Sequence, residues 1–228
     1  MTDDRIDGQL NWFIRVVALG ARIVGRAFAR IRHEGFDRLP ATGPLILAPN
    51  HISNADGVAV GAWLTPALGR RIHWLGKREM FRFPPIAAML RYGGVHRLDR
   101  GAADVEAFRL ALRVLEAGGV LLVFPEGTRS PDGRLQPLRD GVATLAIRSG
   151  ALIVPIGVSG TDRVWPRSRL PRPGGRVVVR VGEPFRAADV VPGGADRRAA
   201  KAAVTEALAR RIEALVEPRH RRSRTPST

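Results

Sequence analysis

Two short segments, well separated in the chain, hold the residues best suited to chemistry. Residues 50–56 read Asn-His-Ile-Ser-Asn-Ala-Asp, and residues 124–130 read Phe-Pro-Glu-Gly-Thr-Arg-Ser. The first places His51 and Asp56 five positions apart. A histidine has an ordinary pKa near 6.5, so much of it is neutral at pH 7 and can take a proton from an alcohol. An aspartate bonded to the other ring nitrogen fixes the tautomer and stabilises the imidazolium that forms. The second segment puts a carboxylate, Glu126, and a guanidinium, Arg129, on one turn. Gly127 permits that turn without a Cβ clash, and Thr128 is expected to hold it. A guanidinium grips phosphate through two parallel hydrogen bonds. A His–Asp pair is a weak signal alone, because such short spacings arise by chance.

Two further runs give the pair its context: Gly-Val-His-Arg-Leu-Asp-Arg at 94–100 and Val-Pro-Ile at 154–156. Taken in order, the four segments resemble the four signature blocks of the glycerolipid acyltransferase family, whose best-known members are the 1-acyl-glycerol-3-phosphate acyltransferases. The resemblance runs from about residue 32 to residue 185. It implies an O-acyltransferase in phospholipid biosynthesis. Such an enzyme moves a fatty acyl group from acyl-CoA or acyl-carrier protein to the free hydroxyl of a lysophospholipid. The foremost acceptor is 1-acyl-sn-glycerol-3-phosphate, and the product is phosphatidic acid. By the same resemblance His51 is the general base, Asp56 orients it, and attack is direct. Arg100, Glu126, Gly127, Thr128 and Arg129 bind substrate, with the two arginines on the acceptor's phosphate. Glu126 would bond a glycerol hydroxyl or position Arg129. No cofactor beyond the acyl donor is implied. The sequence departs from the family at His96 and Arg97, where apolar residues are usual, which leaves the acceptor open. The alternatives are another lipid acceptor (a lyso-ornithine lipid, a glycosylated lipid or glycerol-3-phosphate) and a non-catalytic membrane-binding protein of the same fold.

Composition narrows the partners. The formal charge of +16 points to acidic ones. A lysophospholipid, an anionic membrane surface and a CoA thioester or acidic carrier all qualify. Nucleic acid is not expected, because a single Tyr and few other aromatics leave little to stack on bases. With no cysteine, disulfides, thiolate metal sites and a Cys nucleophile are excluded. No metal site is expected, since the carboxylates and remaining histidines are not clustered as ligands. His33, His73 and His220 read as ordinary surface or core histidines.

The elements that must position the site alternate. Residues 45–49, 71–75, 94–98, 120–124, 152–158 and 176–181 read as short strands, and 57–68, 103–117, 139–149 and 195–216 as helices. This pattern predicts a single α/β domain over residues 32–216, with a largely parallel or mixed central sheet flanked by helices. The three strands before His51, Arg100 and Glu126 would deliver them to one sheet edge, beyond the strands' carboxyl ends. Residues 1–31 are expected to hold an N-terminal amphipathic helix. Phe13, Val17, Gly20, Val24, Ala27, Phe28 and Ile31 share one face, opposite Arg15, Arg22, Arg26 and Arg30. Such a helix either lies in the headgroup plane of an anionic membrane or packs on the domain's own core. No run long enough to cross a bilayer is present. A peripheral enzyme on the cytoplasmic face of the cell membrane is expected, ending in a basic disordered tail at 217–228.

Overall fold

Strands covered on both faces must be apolar at nearly every position, and the central runs of this chain are. The computed structural model describes residues 10–77, 81–98, 103–166 and 170–222. Its strands are β1 (Ala29–Glu34), β2 (Leu45–Pro49), β3 (Ile72–Lys77), β4 (Val95–Leu98), β5 (Val120–Leu122), β6 (Leu152–Ser159) and β7 (Gly175–Val181). They form one seven-stranded sheet in the order β1-β7-β6-β2-β5-β3-β4. Only the β6–β7 pair is antiparallel. The helices are α1 (Trp12–Phe28), α2 (Asp56–Leu68), α3 (Pro84–Tyr92), α4 (Ala103–Glu116), α5 (Gly141–Ser149), α6 (Thr161–Val164) and α7 (Arg197–Leu215).

The sheet separates two apolar cores, and strand alternation assigns residues to each. Ile46, Leu121 and Ile153 pack with Val142, Leu145, Leu208 and Ile212 under α5 and α7. Their neighbours Leu45, Leu47, Val120 and Val154 pack with Val60, Leu64 and Leu68 of α2. Because β2, β5 and β6 run parallel, their carboxyl ends meet at one edge. That edge receives residues 50–56, 123–130 and 160–161.

The N-terminal helix is shorter than the sequence pattern predicts. It ends at Phe28, and residues 29–34 form β1, paired in parallel with β7. Ile31 and Arg30 therefore belong to an edge strand and not to a helix face. The buried face is also a different one: Ile14 and Ala18 are buried, and Gly25 lies against Trp63 of α2, where a Cβ would come within 2.8 Å of the indole. Trp12, Val16, Leu19 and Ile23, spaced along the opposite face, stay exposed, from 49% for Leu19 to 74% for Trp12. The helix thus packs on the domain and also presents an apolar stripe to solvent. Among the described residues no helix is long and apolar enough to cross a membrane.

The C-terminal segment departs from expectation too. The sequence predicts disorder from 217, yet Pro218–His220 forms a 3-10 turn with His220 only 1% exposed. Arg219 reaches Asp162 at 3.0 Å, and Arg222 reaches Glu213 at 3.0 Å and Glu206 at 3.2 Å. These ion pairs tie the segment to α6 and α7. His73 and His96 are both buried, with ring nitrogens 2.9 Å apart across β3 and β4, so the His96 side chain packs within the protein and not at a solvated edge.

Candidate active site

The turn after β2 is built around one carboxylate. Asp56, the first residue of α2, is fully buried. Its Oδ2 accepts the backbone N–H groups of Ile52 at 2.6 Å and Ser53 at 2.7 Å, and also Nδ1–H of His51 at 2.8 Å. Its Oδ1 accepts the Thr161 hydroxyl from the start of α6. Four donors converge on a group that offers only acceptors, so the buried charge is matched. The His51 ring stacks on Phe124, with centroids 3.9 Å apart and planes 19° from parallel. With Nδ1 committed to Asp56, the neutral imidazole carries its lone pair on Nε2. That nitrogen has no partner among the described residues, and the side chain is 20% exposed while Asp56 is sealed. The arrangement is an oriented imidazole with Nε2 left unbonded, a geometry that suits a proton acceptor.

Two neighbours hold this turn against the sheet. The Asn50 side-chain amide donates to the Val158 carbonyl at 3.0 Å and accepts the Val158 N–H at 2.7 Å, extending the β2–β6 pairing one residue past Pro49. Ser53 Oγ accepts the Ala55 N–H and donates to the Trp165 carbonyl at 2.6 Å.

Glu126, expected at an acceptor hydroxyl or behind Arg129, is buried and spans two loops. Its Oε1 accepts the His51 backbone N–H at 2.6 Å, and its Oε2 accepts the Gln136 N–H at 2.9 Å. The Ser130 N–H completes the link by donating to the His51 carbonyl at 2.7 Å. Burial pushes the Glu126 carboxyl up to about 7, against the lowering effect of the two backbone N–H groups. The nearby Asp56 and Asp132 charges add to the rise.

This shift has a stability consequence of definite sign. A carboxyl whose folded pKa lies above its unfolded value holds its proton more tightly when folded. Its favourable contribution is complete below about 4.5 and is lost as pH rises through about 7. Glu126→Gln cannot ionise, so its melting temperature relative to wild type should rise between pH 5 and pH 8. The difference is bounded by roughly 3 kcal/mol for a shift of this size. Thermal melts of both proteins across that range check it, and a difference that is flat with pH would contradict it.

The turn at 124–127 closes through the Gly127 N–H to the Phe124 carbonyl at 3.0 Å. Gly127 lies at φ +69°, a backbone conformation that favours glycine, and the exposed Arg139 side chain packs against its Cα. Gly127 and Thr128 are exposed at the rim, and Arg129 is half-buried. The Arg129 guanidinium donates to Asn54 Oδ1, crossing from the second segment to the first. Arg100 lies outside the described residues. The structure therefore gathers His51, Asp56, Glu126, Gly127, Thr128 and Arg129 at the edge formed by β2, β5 and β6. Sequence reasoning missed Thr161, Gln136 and Phe124. Only Thr161, a hydroxyl residue opening a helix directly after a strand, carried a readable signal. Among the described residues no group of three or more His, Cys, Asp or Glu side chains is placed to hold a metal ion.

A largely parallel α/β sheet with a His–Asp pair at the strands' carboxyl edge defines a class, and the comparisons with known proteins give its family. The family model described as Acyltransferase matches residues 30–159, more than half of the chain, and the chain belongs to this acyltransferase family. It is 31% identical over 154 residues to the chloroplastic 1-acyl-sn-glycerol-3-phosphate acyltransferase LPAT1 of Arabidopsis thaliana, covering 66% of this chain and 42% of that protein. It is 28% identical over 179 residues to the 1-acyl-sn-glycerol-3-phosphate acyltransferase of Bacillus subtilis (strain 168), covering 78% of this chain and 84% of the relative. The match spans less than half the length of the chloroplastic relatives. A crystal structure of the 1-acyl-sn-glycerophosphate acyltransferase PlsC from Thermotoga maritima superposes with a TM-score of 0.71 at 25% identity. That match covers 89% of this chain and 78% of that one.

Proposed function

We propose that the protein is an O-acyltransferase that moves a fatty acyl group from acyl-CoA or acyl-carrier protein to the free hydroxyl of 1-acyl-sn-glycerol-3-phosphate. The observation that carries this reading is the His51–Asp56 pair, with Nδ1 fixed and Nε2 open. The names of the relatives supply the acceptor. The acceptor hydroxyl gives its proton to Nε2 as its oxygen attacks the thioester carbonyl carbon. Asp56 stabilises the imidazolium, the tetrahedral intermediate collapses with loss of the C–S bond, and the proton passes from Nε2 to the departing thiolate. The test is a panel of lysolipids with acyl-CoA and acyl-carrier protein donors, products identified by mass spectrometry. Phosphatidic acid should dominate. Product only from a lyso-ornithine or glycosylated lipid would move the acceptor and keep the reaction, and no acylated product from any pair would overturn it.

Arg129 takes the acceptor's phosphate in this reading, with Arg100 as a second cation. Removing one charge-assisted contact is expected to raise the acceptor KM about tenfold, with partial recovery in Arg129→Lys and little change in donor KM. Steady-state titration of each substrate against Arg129→Ala separates the two. A raised donor KM with an unchanged acceptor KM would reverse the assignment.

The enzyme works in this reading as a peripheral protein on the cytoplasmic face of the cell membrane, held by the exposed stripe of α1. Arg15 and Arg26, both exposed, flank Trp12, Leu19 and Ile23 at helical spacing. Each arginine near an anionic surface contributes about 1 kcal/mol that salt screens, whereas the apolar stripe adds a part that salt does not remove. Binding to anionic vesicles should fall only partly in high salt. Leu19→Asp and Ile23→Asp should release the protein without lowering its melting temperature, since both side chains already face solvent. Sedimentation of these folded variants with vesicles as in wild type would place the anchor elsewhere.

A further inference from the structure

An open cleft of about 1000 Å³ lies between α7, the loop after residue 130 and the C-terminal turn, lined by Arg134, Arg210, Glu213, Arg221 and Arg222. Four arginines and one glutamate are among the residues that line it. Glu213 is engaged by Arg222 at 3.0 Å, as Glu206 is at 3.2 Å, so the local acids are already matched. Arg210 and Arg221 are exposed and hold no ion pair among the described residues. The cleft is held open by built contacts. His220 is 1% exposed, its Nδ1–H donates to the Gly133 carbonyl at 2.6 Å, and its own carbonyl accepts the Leu135 N–H at 2.8 Å. Arg219 on Asp162 locks the same turn to α6, whose first residue, Thr161, holds Asp56. Arg134 is therefore fixed opposite Arg221, only two residues before Gln136, whose N–H holds Glu126. Two residues of chain span at most about 7 Å, so the cleft adjoins the loop that supports the catalytic turn.

We propose that this arginine-lined cleft binds the phosphate-bearing nucleotide end of a CoA thioester, leaving the flexible arm to carry the acyl group to His51. The inference rests on the acyl-transfer reading given above and selects its donor. Planar guanidiniums pair with phosphate oxygens two bonds at a time, and Arg210 and Arg221 line the cleft without an acid partner among the described residues. The open groove has room for a nucleotide-sized ligand, and a recess suits a small polyanion better than it suits the convex face of a carrier protein.

The test measures binding of coenzyme A and of adenosine 3′,5′-bisphosphate to the full chain by calorimetry, alongside KM values for acyl-CoA and lysolipid. Wild type should bind both probes, more weakly as salt rises. Arg210→Glu and Arg221→Glu should each weaken binding about tenfold or more, as expected for loss of a charge-assisted contact. The acyl-CoA KM should rise in parallel, with the lysolipid KM unchanged. Both side chains are exposed and hold no ion pair among the described residues, so the substitutions break no such contact of the fold, and matching melting temperatures would verify this. Unchanged coenzyme A affinity in both variants overturns the proposal, and so does a wild type that ignores coenzyme A but uses acyl-carrier protein. Binding abolished by the substitutions in a protein with no transferase activity would keep the cleft and refute the reaction. Activity from acyl-CoA that is indifferent to both substitutions would do the reverse.

Discussion

His51→Ala is expected to lower the rate of acyl transfer by about two to four powers of ten, the usual contribution of a positioned general base. The fold should survive. The side chain lies at the edge of the sheet, partly exposed, and contributes a stacking contact with Phe124 and one hydrogen bond to Asp56. Asp56 keeps its other three donors when that bond is lost. The backbone bonds of residue 51, from its N–H to Glu126 and to its carbonyl from Ser130, do not depend on the side chain. Melting temperature and single-turnover rate, measured on the same preparation, separate chemistry from stability. A His51→Ala protein with near-normal turnover and a normal melt would falsify the role given to the imidazole.

The readable parts of this molecule were those with one physical cause. Apolar runs such as Leu45–Pro49 and Leu152–Ser159 form central strands because both sheet faces are covered, and nothing but burial decides them. Residues 29–34 hid a strand because Ala-Arg-Ile-Arg-His-Glu alternates as an exposed edge does, and its Arg30 continues the spacing of Arg22 and Arg26 in the preceding helix. Pairing with β7, distant in sequence, decides that segment. The α3 helix opens on Pro84, a start signal that sequence reading passed over.

The site divides along the same line. The spacing of His51 and Asp56 marked the pair, because five residues of turn bring the two side chains together locally. The four donors around Asp56 were not legible: Thr161 arrives from the far end of β6. Glu126 was legible as a residue and not as a tie between loops, since its partners are backbone N–H groups that any residue type supplies. The ordering of residues 217–222 depends likewise on acids elsewhere in the chain, on Asp162, Glu206 and Glu213. A run of basic residues reads as a solvated tail until such partners are placed beside it.

Asp56→Asn and Asp56→Ala are expected to differ sharply, for a reason that the spacing alone would not provide. Spacing suggests that an amide at 56 turns its NH₂ toward His51 and selects the wrong tautomer, as in other oriented histidines. Here the Oδ2 position faces three N–H donors, from His51, Ile52 and Ser53, so an NH₂ placed there would oppose all three. The other end faces the Thr161 hydroxyl, which can accept as well as donate. The amide introduced by Asp56→Asn should therefore keep its oxygen toward His51 and preserve the tautomer. That variant loses only the charge that stabilises the imidazolium, an effect of about ten- to a hundred-fold on turnover for a hydrogen bond to a charged group. In Asp56→Ala the buried N–H groups of Ile52 and Ser53 lose their acceptor, which costs on the order of 2–5 kcal/mol of stability. Turnover should then fall to the level of His51→Ala. Adding Thr161→Val to Asp56→Asn removes the partner of the amide nitrogen, and the double variant should lose more than the two single variants combined. Nitrogen-15 spectra of the His51 ring read the tautomer directly. If Asp56→Asn shows Nε2 protonated and is as inactive as His51→Ala, then the two backbone N–H groups do not set the amide's orientation, and tautomer control belongs to the His51–Asp56 bond alone.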